Sequence, residues 1–317
     1  MKPPVHILGA GVIGMTTGIV LQEAGYDVTI TAKSFSPNTT SDKAAAIWLP
    51  FEANPRDKVL KWSAETYQQF VDLSSREDTG VSMVDFILLE YDSDGEFPWW
   101  TSILPNSAVQ RLESTNVPSD YAYGLSAEVP FIETPIYMKY LHKRFYDNGG
   151  HLVSAEIKNL EAWRDAETLN INCTGLGSKT LLGDQDLFPI QGHIVRVRAS
   201  ESLPYISDED SKNALAYIFP RKEDIIFGGT AVYHENSLTP TKSVIDDVMR
   251  RCKNMLDKDV SLEIIDTYIG LRPGRKSVRV EFDSSLQVIH NYGHGGSGFT
   301  ISWGCALEVL KLARELH

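Results

Sequence analysis

Two arginines stand three residues apart in Gly270-Leu271-Arg272-Pro273-Gly274-Arg275, read here as the end of a strand that leads on to the most glycine-rich stretch of the chain. A guanidinium offers a planar fork of N–H donors matched to a carboxylate, and the neighbouring proline limits how far the backbone under Arg272 can wander. Arg272 is therefore the candidate anion clamp, whereas Arg275 and Arg279 read as surface arginines paired with acids. Tyr217, in the run AYIFP, falls on a strand of the same sheet; its hydroxyl either stands beside the clamp or simply packs. No HExxH, paired CxxC, GxSxG or GxxxxGK(S/T) pattern occurs, so metalloprotease, zinc, hydrolase and P-loop chemistry find no support. His290 and His294 have the spacing of a helical metal pair, but the glycines around them forbid that helix, and no metal site is expected. Cys173 ends an apolar strand with no histidine beside it and reads as a packed thiol, not a nucleophile.

The second chemical feature is glycine. Residues 289–306 (IHNYGHGGSGFTISWGCA) carry Gly293, Gly295, Gly296, Gly298 and Gly304, each costing ordering entropy and supplying no side chain. Something has to approach that backbone closely. From Phe299 onward the apolar spacing is helical, so the loop presents its ligand to a helix N-terminus, where free N–H groups favour negative charge. At the other end of the chain, residues 5–8 run into Gly9-Ala10-Gly11-Val12-Ile13-Gly14, a helical stretch follows to Gln22, and residues 27–31 read as a second strand. That places a GxGxxG at the βα turn of a βαβ unit, where dinucleotide binding requires it. The acid expected after the second strand to hold ribose is missing, and Lys33 stands there, either solvated or suited to a 2′-phosphate as in NADP. Thr39, Thr40 and Ser41 lie in a hydroxyl-rich loop, residues 36–46, that either contacts phosphate or is simply solvated.

These groups need a scaffold. A helix with Leu60, Ala64, Tyr67 and Val71 on one face follows Asn54-Pro55, and residues 84–89 form a strand. Residues 92–119 are loop-rich, with Pro98, Pro105 and the pair Trp99-Trp100, as suits an inserted second domain. A helix from Pro135 to about Asp147 stops at Asn148-Gly149-Gly150; strands follow at 151–153 and 169–172, the latter ending in Cys173-Thr174-Gly175-Leu176-Gly177. From Gln191 alternation and turns suggest an antiparallel sheet, with strands at 215–219, 225–228 and 263–268. One helix interrupts it, capped by Thr239, opened by Pro240 and burying Val244, Val248, Cys252 and Met255.

At 317 residues two domains are the default, and 42 acids against 30 bases, a net charge of −12, argue against nucleic acid or an anionic membrane as partner. Three widely spaced cysteines suit a reducing compartment, and no apolar run reaches the roughly 18 residues of a membrane span, so a cytoplasmic protein is expected.

The motifs GAGVIG, NCTGLG, QGHIVRV, AYIFP, GLRPGR and IHNYGHGGSGFTISWGCA, spread over the whole chain, resemble those of the D-amino-acid oxidases; the last is shared only with the related D-aspartate oxidases. The resemblance implies an α/β plus antiparallel β fold: a Rossmann-like FAD-binding domain (residues 1–50, 136–190 and 280–317) and a mostly antiparallel substrate-binding domain (51–135 and 191–279). FAD would run from Gly9, Gly11, Val12, Ile13 and Gly14 past Thr39, Thr40, Ser41, Ile157 and Thr174 to Gly295, Gly296, Gly298, Phe299 and Thr300. Arg272 would hold the substrate carboxylate with Tyr217 as partner, and the backbone near Gly296 would receive the amine. The implied reaction takes hydride from the α-carbon of a D-amino acid to flavin N5. Oxygen then yields hydrogen peroxide, and the imino acid hydrolyses to 2-oxo acid and ammonia. It needs no general base, and none is evident; the helix dipole after the glycine loop would stabilise the reduced flavin. The implied partners are a small D-amino acid and oxygen, and a homodimer stays open. Three positions depart from the family: Lys33, Asn213 where animal members carry a lid tyrosine, and Ala231 where a yeast-type member has an active-site tyrosine. A roomier pocket for neutral D-amino acids follows; D-aspartate oxidase is the main rival and an NADP-dependent dehydrogenase the distant one.

Overall fold

The computed structural model describes residues 2–51, 53–91, 95–105, 108–209, 215–256 and 258–316; Asn213 lies outside them. The chain divides into two compact units, Met1–Ser82 with Ile132–Pro189 and Arg272–His317, and Met83–Phe131 with Ile190–Leu271. The boundaries differ from those read in the sequence: residues 51–82, 132–135 and 272–279 go with the nucleotide-type unit, and residue 190 goes with the other. The helix Arg56–Ser74 explains the first difference, because it packs on the terminal helix Ser302–Glu315 so closely that a Cβ on Gly304 would lie 2.3 Å from Trp62 Cα.

The first unit is built on a six-stranded sheet. Its central strand, Val5–Leu8, pairs in parallel with Val28–Ala32 on one side and Leu169–Asn172 on the other. His151–Ser154 extends the first side in parallel, while Val288–Tyr292 and then the antiparallel Arg279–Asp283 extend the second. Leu169–Asn172 and Val288–Tyr292 are buried at every position, as strands covered on both faces must be. Strand order reverses at the carboxyl end of Val5–Leu8, which opens a crevice there. The helix Val12–Glu23 leaves that end buried at nine positions, including Thr16, Thr17 and Gly18. Gly18 admits the ring of Phe145, from the helix Thr134–Asp147, to within 2.8 Å of where a Cβ would sit. The helix expected from Phe299 begins at Ser302, after a short 3₁₀ turn at Gly295–Ser297.

Among the described residues the second unit carries a nine-stranded mixed sheet. Ala216–Pro220 pairs antiparallel with both Tyr205–Asp208 and Ile225–Gly228, and Ile225–Gly228 pairs antiparallel with Leu187–Ala199. Val81–Glu90 runs parallel to Tyr205–Asp208. Ile218, Phe227, Val195 and Val197 face a helix, Lys242–Asn254, whose Val248 and Cys252 complete their core. That helix starts later than Pro240 suggests, with Thr241 in extended conformation as its cap, and Val244 is only partly buried. The strand carrying the GLRPGR motif is longer than expected, running from Leu262 through Arg275. No helix among the described residues is long and apolar enough to cross a membrane.

Candidate active site

Gly9 has φ +109°, and a Cβ there would lie 2.4 Å from the carbonyl oxygen of Cys173; a Cβ on Gly14 would lie 1.9 Å from the carbonyl oxygen of Gly9. These two glycines serve the turn and the close packing of helix on strand. Gly11 is different: its missing side chain faces Ser41 Oγ, 3.1 Å from the position a Cβ would take. That same oxygen accepts the N–H of Val12 at 2.9 Å, so Ser41 sits directly at the N-terminus of the first helix. The remaining loop hydroxyls divide. Thr39 turns inward, giving both its N–H and its hydroxyl to Asp42 Oδ2 (2.9 and 2.6 Å), while Ser36 Oγ donates to Asp42 Oδ1 at 2.5 Å. Asp42 thus shapes the loop, a role that the hydroxyl pattern alone did not reveal. Thr40 stays exposed, as does Lys33.

On the neighbouring strand end, Thr174 donates its N–H and hydroxyl to Asn172 Oδ1 (3.2 and 2.8 Å), and its Oγ1 also lies 2.8 Å from Ser178 Oγ. Ile157 is half-buried beside Leu8, Leu160 and Val288. Cys173 is buried, and burial pushes its thiol up to about 12, which agrees with packing and not with nucleophilicity.

The C-terminal loop completes this edge. Gly295 has φ +56° and nothing within 4 Å of an added Cβ, and Gly298 meets only His294 Cβ at 3.9 Å, so both leave open space beside their backbone. Phe299 and Thr300, expected among the cofactor contacts, turn their side chains into the core instead. Thr300 Oγ1 donates to the carbonyl of Leu49 at 2.9 Å and accepts its N–H at 3.2 Å, which leaves only backbone for a ligand. The helix start is likewise committed: Ser302 is buried, and the Gly304 N–H donates to Thr66 Oγ1 at 3.0 Å. Buried His294 meets Asn291 Oδ1 through Nε2 at 3.1 Å, and His290 Nδ1 lies 3.3 Å from Asn172 Nδ2, so the two histidines serve separate contacts.

Arg272 stands against the exposed Gly296, its Cδ 3.8 Å from where a Cβ would be. The neighbouring arginines are committed to acids, as expected. Arg275 reaches Asp184 at 3.0 Å and Asp186 at 3.6 Å, and Arg279 reaches Glu281 at 2.7 Å and Asp283 at 3.3 Å. Burial works against ionisation of Asp184, but the hydrogen bonds from Tyr292 and Arg275 hold it below the usual carboxylate range. Phe51 is the neighbour that sequence reasoning missed. Its ring comes within 2.9 Å of a Cβ on Gly296, and Ser297 Oγ holds its backbone by donating to the Phe51 carbonyl (2.7 Å) and accepting its N–H (2.8 Å). No local signal marks it.

In the second unit Tyr217 is buried, with its ring stacked on Phe219 at 4.8 Å and 13°. A Cβ on Gly228 would lie 2.0 Å from Tyr217 Cζ and one on Gly229 2.8 Å from its hydroxyl, so both glycines make room for this phenol.

Residues 4–312 match the model of the family described as FAD dependent oxidoreductase. A D-amino-acid oxidase from Rubrobacter xylanophilus is 35% identical over 97% of this chain and 94% of its own length. The chain belongs to the D-amino-acid oxidase family of FAD-dependent oxidoreductases. A second D-amino-acid oxidase, from Dictyostelium discoideum, is 36% identical over 98% of this chain and 91% of its own. The fold is shared with glycine oxidase from Geobacillus kaustophilus at a TM-score of 0.81, with 18% identity over 99% of this chain and 95% of that one. FAD is the family's cofactor, and the residues present fit it. Gly295 and Gly298 leave open space beside their backbone, and in the same unit Gly11 opens the first helix, with Ser41 at its N-terminus.

Proposed function

We propose that this chain carries out FAD-dependent oxidative deamination of D-amino acids, with neutral side chains preferred, giving a 2-oxo acid, ammonia and hydrogen peroxide. The observation that supports this reading is Arg272, in the GLRPGR motif, with its Cδ 3.8 Å from where a Cβ on the exposed Gly296 would stand.

When bound, FAD supplies the acceptor for the hydride and hands the electrons on to oxygen. The protein's own part is orientation. The Arg272 guanidinium takes the substrate carboxylate in two parallel hydrogen bonds, and the Gly296 carbonyl region receives the amine. For the second unit, the resemblance of the AYIFP run assigns the Tyr217 phenol a substrate hydrogen bond. The α-carbon of the neutral amine loses its hydrogen as hydride, leaving a protonated imine that water converts to 2-oxo acid and ammonium. None of these steps requires a base on the protein. The phenyl ring of Phe51 beside Gly296 supplies an apolar surface in this neighbourhood, which supports the preference for neutral side chains.

The test is peroxide release by the purified, flavin-loaded protein. D-alanine, D-valine and D-phenylalanine should turn over, L-alanine should not, and D-aspartate should be slower than the neutral substrates. D-aspartate outpacing every neutral substrate would overturn the side-chain preference; inertness toward every D-amino acid would overturn the reaction.

A further inference from the structure

The strand pair that carries Tyr217 has two faces. On one lie Tyr217 and Phe219, with Phe219 continuing to the rings of Phe86 and Phe131 at 6.4 and 6.2 Å. On the other lie Ala216, Ile218, Ile225 and Phe227, covered by the helix Lys242–Asn254. Two consecutive residues of that helix grip the backbone under Tyr217. Cys252 Sγ donates toward the carbonyl oxygens of Tyr217 (3.4 Å) and Gly228 (3.2 Å). Arg251 Nη2 donates to the carbonyl of Gly229 at 2.9 Å, its Nη1 to the carbonyl of Leu215, and its Nε to Asp247 at 2.9 Å. The same Leu215 carbonyl also receives the Gly229 N–H at 3.2 Å. Arg251 therefore closes the end of the ladder whose last paired residues are Tyr217 and Gly228.

The Arg251 side chain is only 4% exposed. Burying a guanidinium is costly, and apolar residues of similar volume often hold a helix to a sheet as well or better. What a charged fork adds is a fixed spacing between the two carbonyls it bridges. That spacing matters here because the Tyr217 hydroxyl lies against Gly229, within 2.8 Å of the position a Cβ would occupy, so a shift of Gly229 moves the surface on which the phenol rests.

We propose that Arg251 is a positioning residue for the reaction: from behind the sheet it fixes Leu215 and Gly229, and through them the place at which the Tyr217 hydroxyl meets substrate. This rests on the substrate role proposed for Tyr217. The experiment is a double-mutant cycle of Arg251→Lys and Tyr217→Phe, read as KM and kcat for D-alanine with flavin absorbance and melting temperature alongside. Arg251→Lys keeps the charge but cannot bridge two carbonyls, and should raise KM about tenfold with kcat within about twofold of wild type and normal flavin content. Tyr217→Phe should raise KM by a similar factor, and adding Arg251→Lys to it should change little. Should Arg251→Lys not fold, Asp247→Asn weakens the anchor at Nε, together with the exposed pair of Asp247 with Arg250, and should raise KM in the same direction by about threefold, whereas Arg250→Ala, which loses only the exposed pair, should leave KM unchanged. Losses that multiply, or a lowered melting temperature with unchanged KM, would leave Arg251 a purely structural residue and overturn the proposal. Unchanged KM in Tyr217→Phe would remove the substrate role of Tyr217, and the role of Arg251 would fall with it.

Discussion

An α-amino acid carries its carboxylate on the same carbon that must lose hydrogen, so a planar grip on the carboxylate also decides which hydrogen faces the acceptor. A single enantiomer then presents it correctly. Removing the fork leaves that carboxylate unpaired in a partly dry site, a loss on the order of 2 to 5 kcal/mol. Arg272→Ala should therefore lower kcat/KM for D-alanine by roughly a hundredfold or more while flavin absorbance stays normal, and Arg272→Lys should recover only part. Near-normal kcat/KM in a fully flavinated Arg272→Ala would send the search for the clamp elsewhere. The pairing of Arg275 and Arg279 with acids was readable from the surplus of acids, and they do pair with Asp184, Asp186, Glu281 and Asp283. Phe51 was not readable. It is held by Ser297, 246 residues away, and nothing in the spacing of either residue announces a contact made only by the fold. Asp42 escaped for a different reason: an acid in a hydroxyl-rich loop looks solvated until its three hydrogen bonds are seen.

Glycines that look alike in a motif do different jobs within an element, and substitution should separate them. Gly9 is required by the turn itself, since its φ is positive and a Cβ would strike the Cys173 carbonyl at 2.4 Å. Gly9→Ala should lower the melting temperature sharply whether or not flavin is present. Gly11 has ordinary φ, and a Cβ there would meet only the Ser41 hydroxyl, at 3.1 Å, so the turn itself does not require it and the role proposed for it is close approach to the cofactor phosphates. Gly11→Leu should purify folded but colourless, with the lost flavin absorbance as the readout. A folded, fully yellow Gly11→Leu would disprove the placement of the phosphates there. The βαβ start and the glycine loop were recognisable because period and glycine spacing are local properties. The start of the terminal helix at Ser302 was not, because tertiary packing shaped it: Ser302 is buried, with its carbonyl accepting from Thr16 Oγ1 at 3.4 Å, and Gly304 is buried against Trp62.

Across the whole chain the net charge of −12 says little about acid stability, because what matters is which titratable groups folding takes out of water. Burial lowers four histidines below the ordinary 6.5: His142, His193, His290 to about 4 and His294 to about 3. Asp283 lies 3.6 Å from His290 and would favour the imidazolium, but it is shared with Arg279 and Ser285, and desolvation wins. The sign follows directly. Between pH 6.5 and about 4 the unfolded chain binds protons at these histidines that the folded chain refuses, so stability falls as pH drops through that window, and their contribution is constant above it. Carboxylates held low, such as Asp283 at about 2, begin to cost stability only below 3.8, and Glu65, raised above 4.5 by burial, acts in the opposite direction. Each buried histidine contributes at most about 1.4 kcal/mol per pH unit. The melting temperature should thus be flat between roughly pH 7.5 and 8.5, decline toward pH 5 faster than carboxylates alone allow, and decline again above about pH 9, where the buried thiols of Cys173 and Cys252, pushed up to about 12, stay protonated only in the folded chain. His294→Gln removes one titrating group while keeping a polar atom for Asn291, and should make that decline shallower even where it lowers stability at neutral pH. A melting curve for His294→Gln with an acid slope equal to that of wild type would show that the buried imidazole at the glycine loop is not what makes the molecule acid-sensitive.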